Sequence, residues 1–171
     1  MDGIDIGIAR PAQLADIPGV ELSAVTLFPE QDLPQPIRYR VTAIEDLQQA
    51  RQSGRLWTAT SGDGKVIGFA MADVVDDLAY LAELAVLPDF GRRGIGKRLV
   101  ESVIAWACDS GFSTLRLVTF GHIPWNAPFY EKLGFSTVEP PAPGTEMAEI
   151  MEAERRAGID KSRRVLMQLT L

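Results

Sequence analysis

The spacing of apolar positions changes several times along the chain, and each change marks an element. Over residues 3–9, Ile4, Ile6 and Ile8 alternate with Asp5 and Gly7, the two-residue period of a half-buried strand. Pro11 can open a helical segment in which Leu14, Ile17, Val20, Leu22 and Val25 supply an apolar stripe as far as Phe28. Pro18-Gly19 is expected to interrupt that stripe. The stretch PEQDLPQP over residues 29–36 reads as a turn-rich connector. Beyond it, Ile44 and Leu47 predict a helix over about residues 42–51, with Gly54 past its end.

Residues 55–61 and 65–75 are rich in strand formers and flank Ser61-Gly62-Asp63-Gly64, which predicts a β-hairpin. A second turn at Asp76-Asp77 leads into the apolar run 78–87, so the early strands meander antiparallel. From Gly94 the period becomes helical: Ile95, Leu99, Val103 and Ala107, with Val100 and Ile104, form one face, and Gly111 is placed to terminate it. Trp106 and Cys108 near its end read as packing residues. Residues 114–120 form the next strand pattern, followed by a loop and a short helix ending at Gly134 and a strand over 135–138. After the linker PPAPG, Thr145 can cap a helix bearing Met147, Ile150 and Met151 that Gly158 ends. Val165, Met167, Leu169 and Leu171 then close the chain as a strand. No internal repeat or low-complexity segment is present.

Composition narrows the class. A length of 171 residues predicts one domain over 1–171, large enough to bury a core, and 46% apolar with 23% charged residues is ordinary for a soluble fold. The net charge of −6 argues against general binding to nucleic acid or to anionic membranes and weakly favours a cationic partner. Cys108 is the only cysteine, which excludes an internal disulfide and a cysteine-based zinc site, and no constellation for a metal is visible. The opening MDGIDIG lacks a basic region and an apolar core, and no later segment approaches a membrane span, so a cytoplasmic protein is expected.

The unusual chemistry lies between the strand 78–87 and the helix after it. Arg92, Arg93, Lys97 and Arg98 crowd the start of that helix, where the dipole normally favours acids. Gly91, Gly94 and Gly96 permit close backbone approach, and the free N–H groups of a helix start point outward. A phosphate or pyrophosphate resolves the conflict. Residues 91–97 fit the spacing of a Walker A loop, but Arg98 stands where Ser or Thr ligates magnesium, and strand 114–120 ends without an acid. A dinucleotide fingerprint fails too, because Leu99 takes the place of the third glycine.

These residues are similar to a known family. ELAVLPDFGRRGIGKRLVESVIAWA resembles the acyl-CoA signature of the GNAT acetyltransferases, and FYEKLGF over residues 129–135 resembles their second signature. The resemblance covers most of the chain and implies an α/β fold, a mixed and mostly antiparallel central sheet flanked by helices. It implies acetyl-CoA as cosubstrate, inserted where two central strands diverge, and direct acetyl transfer to a small-molecule or peptide amine. The main chain of Leu84, Ala85 and Val86 would pair with pantetheine amides. Arg92, Arg93, Gly94, Ile95, Gly96 and Lys97 would cradle the pyrophosphate, and Phe129 and Asn126 would lie on the cofactor side. The chain departs from the family at Gly91, where Gln or Arg is usual.

Two residues suit the chemistry so implied. Glu83 is the only charged side chain over residues 78–87. An alkylamine with a pKa near ~10.4 must lose a proton before attacking a thioester, at a cost of about 4–5 kcal/mol at neutral pH, so a carboxylate with a raised pKa is a general-base candidate. The alternative is that Glu83 faces solvent. Tyr130 of FYEKLGF can serve the leaving thiolate as a proton donor, or its ring can merely pack beside Phe129 and Leu133. Asn126 is also placed to cap the short helix, and capping is the favoured reading because GNAT proteins place their CoA-contacting Asn where Ile123 stands here. His122, the only histidine, is the second candidate base. A CoA sensor without catalysis and a nucleotide-triphosphate binder remain the alternatives from other classes.

Overall fold

A computed structural model describes residues 3–171; Met1 and Asp2, the start of the segment read for a targeting signal, lie outside the described residues. Among the described residues seven strands form one sheet in the order β1-β2-β3-β4-β5-β7-β6. They are β1 (Asp5–Ile8), β2 (Leu56–Thr60), β3 (Val66–Val75), β4 (Leu78–Val86), β5 (Thr114–Phe120), β6 (Ser136–Thr137) and β7 (Arg164–Thr170). Every neighbouring pair is antiparallel except β4 and β5. The mixed, mostly antiparallel sheet expected from the sequence is therefore the fold observed.

The tight turn between β3 and β4 follows from its residues. Asp76 and Asp77 adopt φ of 52° and 59°, the pair of left-handed residues that a two-residue hairpin needs. Asp76 has a second task, since its carboxylate accepts the N–H groups of Glu146 and Met147 at 2.8 and 3.0 Å. It thereby caps helix α6 (Glu146–Arg156) from across the sheet, beside the Thr145 cap on the Ala148 N–H.

One face of the sheet is covered by α4 (Ile95–Asp109), which buries Ile95, Leu99, Val100, Val103 and Ala107 against Ala79, Leu81, Leu115 and Leu117. Gly68 lets the helix approach, because a Cβ there would lie 3.0 Å from the Ala85 carbonyl oxygen and 3.4 Å from Leu99 Cδ1. The opposite face carries α1 (Ile17–Ala24) and α3 (Ile44–Gln52) over Leu56 and Phe69. The same face carries α6, whose Met147 and Ile150 pack with Val75, Tyr80 and Leu166.

Several boundaries differ from the sequence reading for identifiable reasons. Pro18-Gly19 does not break the first helix: a 3-10 turn over Pro11–Asp16 runs into α1, and Pro18 falls in the first helical turn, where its missing N–H leaves nothing unsatisfied. The stripe also ends early, with Leu22 40% exposed. Helix α3 starts at Ile44 rather than Thr42 because the Thr42 N–H and hydroxyl are bound to the Glu21 carboxylate, the hydroxyl at 2.6 Å. The connector contains a short helix, α2 (Gln35–Arg38). The strand expected over 135–138 shrinks to β6. Cys108 is exposed and does not pack in the core, whereas Trp106 stacks against Trp57 and Phe112.

Candidate active site

The cleft begins where β4 leaves β5. The two pair only at Ala79 with Leu115 and Tyr80 with Arg116, and then separate. On β4, Glu83 stands opposite Met71 and Leu81 opposite Ala72, so Ala82 is an extra residue without a partner on β3. Such a bulge bends and twists a strand, which suits the splaying from β5. On the side facing β5, the backbone of Leu84, Ala85 and Val86 has no strand partner among the described residues. Backbone donors and acceptors left open in this way fit the amides of an extended ligand.

The bulge also changes which face each side chain takes. Ala79 and Leu81 point toward α4, and beyond the bulge Leu84 and Val86 do so. Glu83 consequently shares the opposite face with Met71 and Ala85. Solvent reaches Glu83 along the open cleft, while the protein mass around it limits its hydration. Burial pushes its carboxyl pKa up to about 7, and the negative charges of Glu21 and Glu154 push the same way against Arg164. Glu154 is itself held by Arg164, whose Nε and Nη2 donate to its two oxygens at 2.9 and 2.6 Å.

At the end of β4 a 3-10 turn over Pro88–Phe90 leads into the glycine-rich segment. Arg92 adopts a left-handed φ of 60°, and Gly94, the residue before α4, one of 77°. Among the described residues no side chain caps α4, so its first N–H groups remain available to an anion. The four cations divide. Arg92 is exposed and makes no polar contact among the described residues. Lys97 lies 3.7 Å from Glu101. Arg93 stacks over the Phe90 ring at 5.1 Å. Arg98 turns away from the turn and donates to the Ile4 carbonyl from both terminal nitrogens at 3.2 Å. A Cβ at Gly91 would lie 3.1 Å from the Pro88 carbonyl oxygen, so a side chain there would crowd the preceding turn.

Helix α5 (Ala127–Glu131) brings Phe129 and Tyr130 to the other wall. The Phe129 ring edge stands 3.5 Å from where a Gly96 Cβ would be, joining this wall to the glycine turn. Tyr130 packs between Phe129 and Phe135, with centroid separations of 5.0 and 5.8 Å. Burial raises its phenol pKa well above the usual range, and the charge on Glu83 raises it further, so the hydroxyl holds its proton at neutral pH.

Asn126 corrects the sequence reading. Its side chain does not cap α5; Oδ1 instead accepts the hydroxyl of Thr119 on β5. His122 is engaged elsewhere as well, with Nε2 3.1 Å from Asp32 Oδ2, while Arg163 bonds Oδ1 of the same carboxylate. Asp32 is 1% exposed. Burial alone would raise its pKa, but the hydrogen bonds and charges of Arg163 and His122 outweigh it and hold the carboxyl below the usual range.

A sequence model of the acetyltransferase (GNAT) family matches residues 22–135 of the chain, which spans β4, the glycine turn, α4 and α5. The chain belongs to the GNAT acetyltransferase family. It is similar to the [ribosomal protein bS18]-alanine N-acetyltransferase of Salmonella typhimurium, 37% identical over 97 residues that make up 53% of this chain and 66% of that one. The Escherichia coli K12 protein of the same name is 38% identical over 43% of this chain and 50% of its own length. The chain thus matches between half and two thirds of the length of these relatives. Among solved structures it resembles a PaiA N-acetyltransferase from Thermoplasma acidophilum in complex with coenzyme A, with a TM-score of 0.72 at 17% identity over 99% of both chains. The Escherichia coli ribosomal-protein-S18-alanine N-acetyltransferase superposes with a TM-score of 0.63 at 24% identity, over 98% of this chain and 93% of that one. These two likenesses establish the fold.

In this GNAT chain the motif residues converge on one cleft: the main chain of β4, the start of α4, Glu83 and the pair Phe129 and Tyr130. Thr119 and Arg164 beside the cleft, and Asp32 beside His122, carry no motif. Each becomes visible only through a partner that the fold brings to it. Among the described residues no helix is long and apolar enough to cross a membrane.

Proposed function

We propose that this GNAT protein transfers an acetyl group from acetyl-CoA to a primary amine by direct attack in a ternary complex. Support comes from the meeting, in one cleft, of a carboxyl whose pKa is raised to about 7 and a phenol that keeps its proton. Acetyl-CoA, when bound, supplies an acyl group activated as a thioester. The open backbone of Leu84, Ala85 and Val86 would hold its pantetheine amides. The uncapped start of α4 with Gly94, Ile95 and Gly96, together with Arg92, Arg93 and Lys97, would hold its pyrophosphate.

Glu83, ionised above its raised pKa, takes a proton from the incoming ammonium directly or through water. Tyr130 offers its proton to the departing sulfur. The acceptor approaches from the face of α1, α3 and α6, since Glu83 lies on that side of β4. A cytoplasmic setting belongs to the same proposal, because a single cysteine offers no internal disulfide.

The deciding assay follows thiol release from acetyl-CoA with and without a panel of amines. The panel should include peptides with N-terminal alanine, since the similar enzymes above are named for that acceptor. Release that depends on an added amine is expected. Tight CoA binding with no amine-dependent release across the panel would leave the protein a CoA sensor.

A further inference from the structure

Helix α5 has five residues, too few to hold its own place in water, so its position depends on what grips its ends. At its C-terminal end Phe135 N–H bonds the Tyr130 carbonyl at 3.1 Å, and Tyr130 packs on Phe135. At its N-terminal end the Asn126 carbonyl accepts the N–H of Phe129 at 2.9 Å and that of Tyr130 at 3.4 Å. The backbone of Asn126 therefore carries both residues that α5 brings into the cleft.

Asn126 is held twice: its N–H donates to the Ile123 carbonyl at 3.0 Å, and its side chain is bonded by one on the sheet. Thr119 is 4% exposed near the end of β5. Its hydroxyl donates to Asn126 Oδ1, a bond between a rigid strand and the first turn of a short helix. A valine would fill the same space in β5, so the hydroxyl is accounted for by this bond and not by packing. The Asn126 amide is likewise spent on the strand instead of on the helical N–H groups that its position would let it cap.

We propose that Thr119 and Asn126 are a positioning pair that fixes the start of α5 and thereby sets where the Tyr130 hydroxyl stands in the cleft. The inference rests on the acyl-transfer reading, in which that hydroxyl serves the leaving sulfur. Neither residue touches the reacting atoms. Their contribution is the placement of one that does, and misplacement by about 1 Å costs on the order of 100-fold in rate.

The test is a double-mutant cycle in the full chain, with acetyl-CoA and the best amine from the panel. Thr119→Val should lower kcat roughly 10- to 100-fold with little change in KM, and Thr119→Ser, which restores the hydroxyl, should recover most of it. Added to Tyr130→Phe, Thr119→Val should cost almost nothing more, because the group it positions is already gone. The Thr119→Val loss should also shrink with acyl thioesters of more acidic leaving thiols. Asn126→Ala, which removes the other half of the bond, should give the same pattern and decides the matter if Thr119→Val does not fold. If Tyr130→Phe loses kcat but Thr119→Val and Asn126→Ala do not, or if their losses multiply in full with that of Tyr130→Phe, the positioning role is overturned. If Tyr130→Phe itself retains kcat, it is the underlying acyl-transfer role of Tyr130 that fails.

Discussion

Glu83 faces Met71 across the β3–β4 ladder, although uninterrupted alternation from Leu81 would have turned it toward α4 and the apolar core. One unpaired residue, Ala82, separates a buried charge without a partner from a carboxyl at the floor of a cleft. That displacement puts the carboxyl where the general-base role proposed for Glu83 requires it.

The first prediction concerns activity against pH. Because the Glu83 carboxyl has a pKa of about 7, kcat should rise through that region as the base ionises. Glu83→Gln should remove the rise and lower kcat by about 100- to 10,000-fold at pH 7 to 8, with CoA affinity nearly intact. The deficit should narrow near pH 10, where the amine is free without help. A wild-type profile in the variant would eliminate Glu83 as the base and direct attention to other groups.

The same residue predicts a trade against stability. The folded pKa of Glu83 lies above its ordinary value of 4.5, so ionisation opposes folding as pH rises from about 4.5 to about 7, and the penalty persists above that. Glu83→Gln should therefore melt at a higher temperature than the parent at pH 8. The difference should fade below pH 4.5. Equal melting temperatures at pH 8 would mean that the carboxyl is well hydrated.

Arg92 offers a test of the phosphate cradle. Its φ of 60° costs an L-residue about 1–2 kcal/mol, and no polar contact among the described residues repays it. Arg92→Gly should raise the melting temperature without ligand, yet reduce the further rise that CoA produces and weaken its dependence on salt. Calorimetry showing undiminished CoA binding would remove Arg92 from the cradle.

Asp32 joins the segment after α1 to the loop after β5 and the start of β7 through His122 and Arg163. Its lowered pKa means that it stabilises the fold above its ordinary value of 3.8 and ceases to do so as pH falls through the folded value. Asp32→Asn should cost about 1–3 kcal/mol at pH 7, the range for losing hydrogen bonds to charged groups, since His122 and Arg163 stay partly solvated. Denaturant titration should show the deficit closing in strong acid. A neutral variant at pH 7 would mean that water replaces the carboxylate without loss.

Much of this protein was determined by its sequence alone, because the signals are local. Alternation and helical periodicity placed the strands and the face of α4, since the pleat and the helical turn dictate which positions meet the core. The conflict between cations and a helix start exposed the glycine turn, and FYEKLGF exposed Tyr130. Tertiary structure decided the rest. Asn126 looked like a helix cap because capping is a local rule, but Thr119, seven residues earlier on a strand, offered its hydroxyl first. His122 looked available until Asp32 arrived from another segment. The bulge at Ala82 leaves no mark in the run LAYLAELAV, because register is fixed jointly by both strands of a ladder. Whether Glu83 would face core or cleft was therefore undecided until β3 had paired with β4.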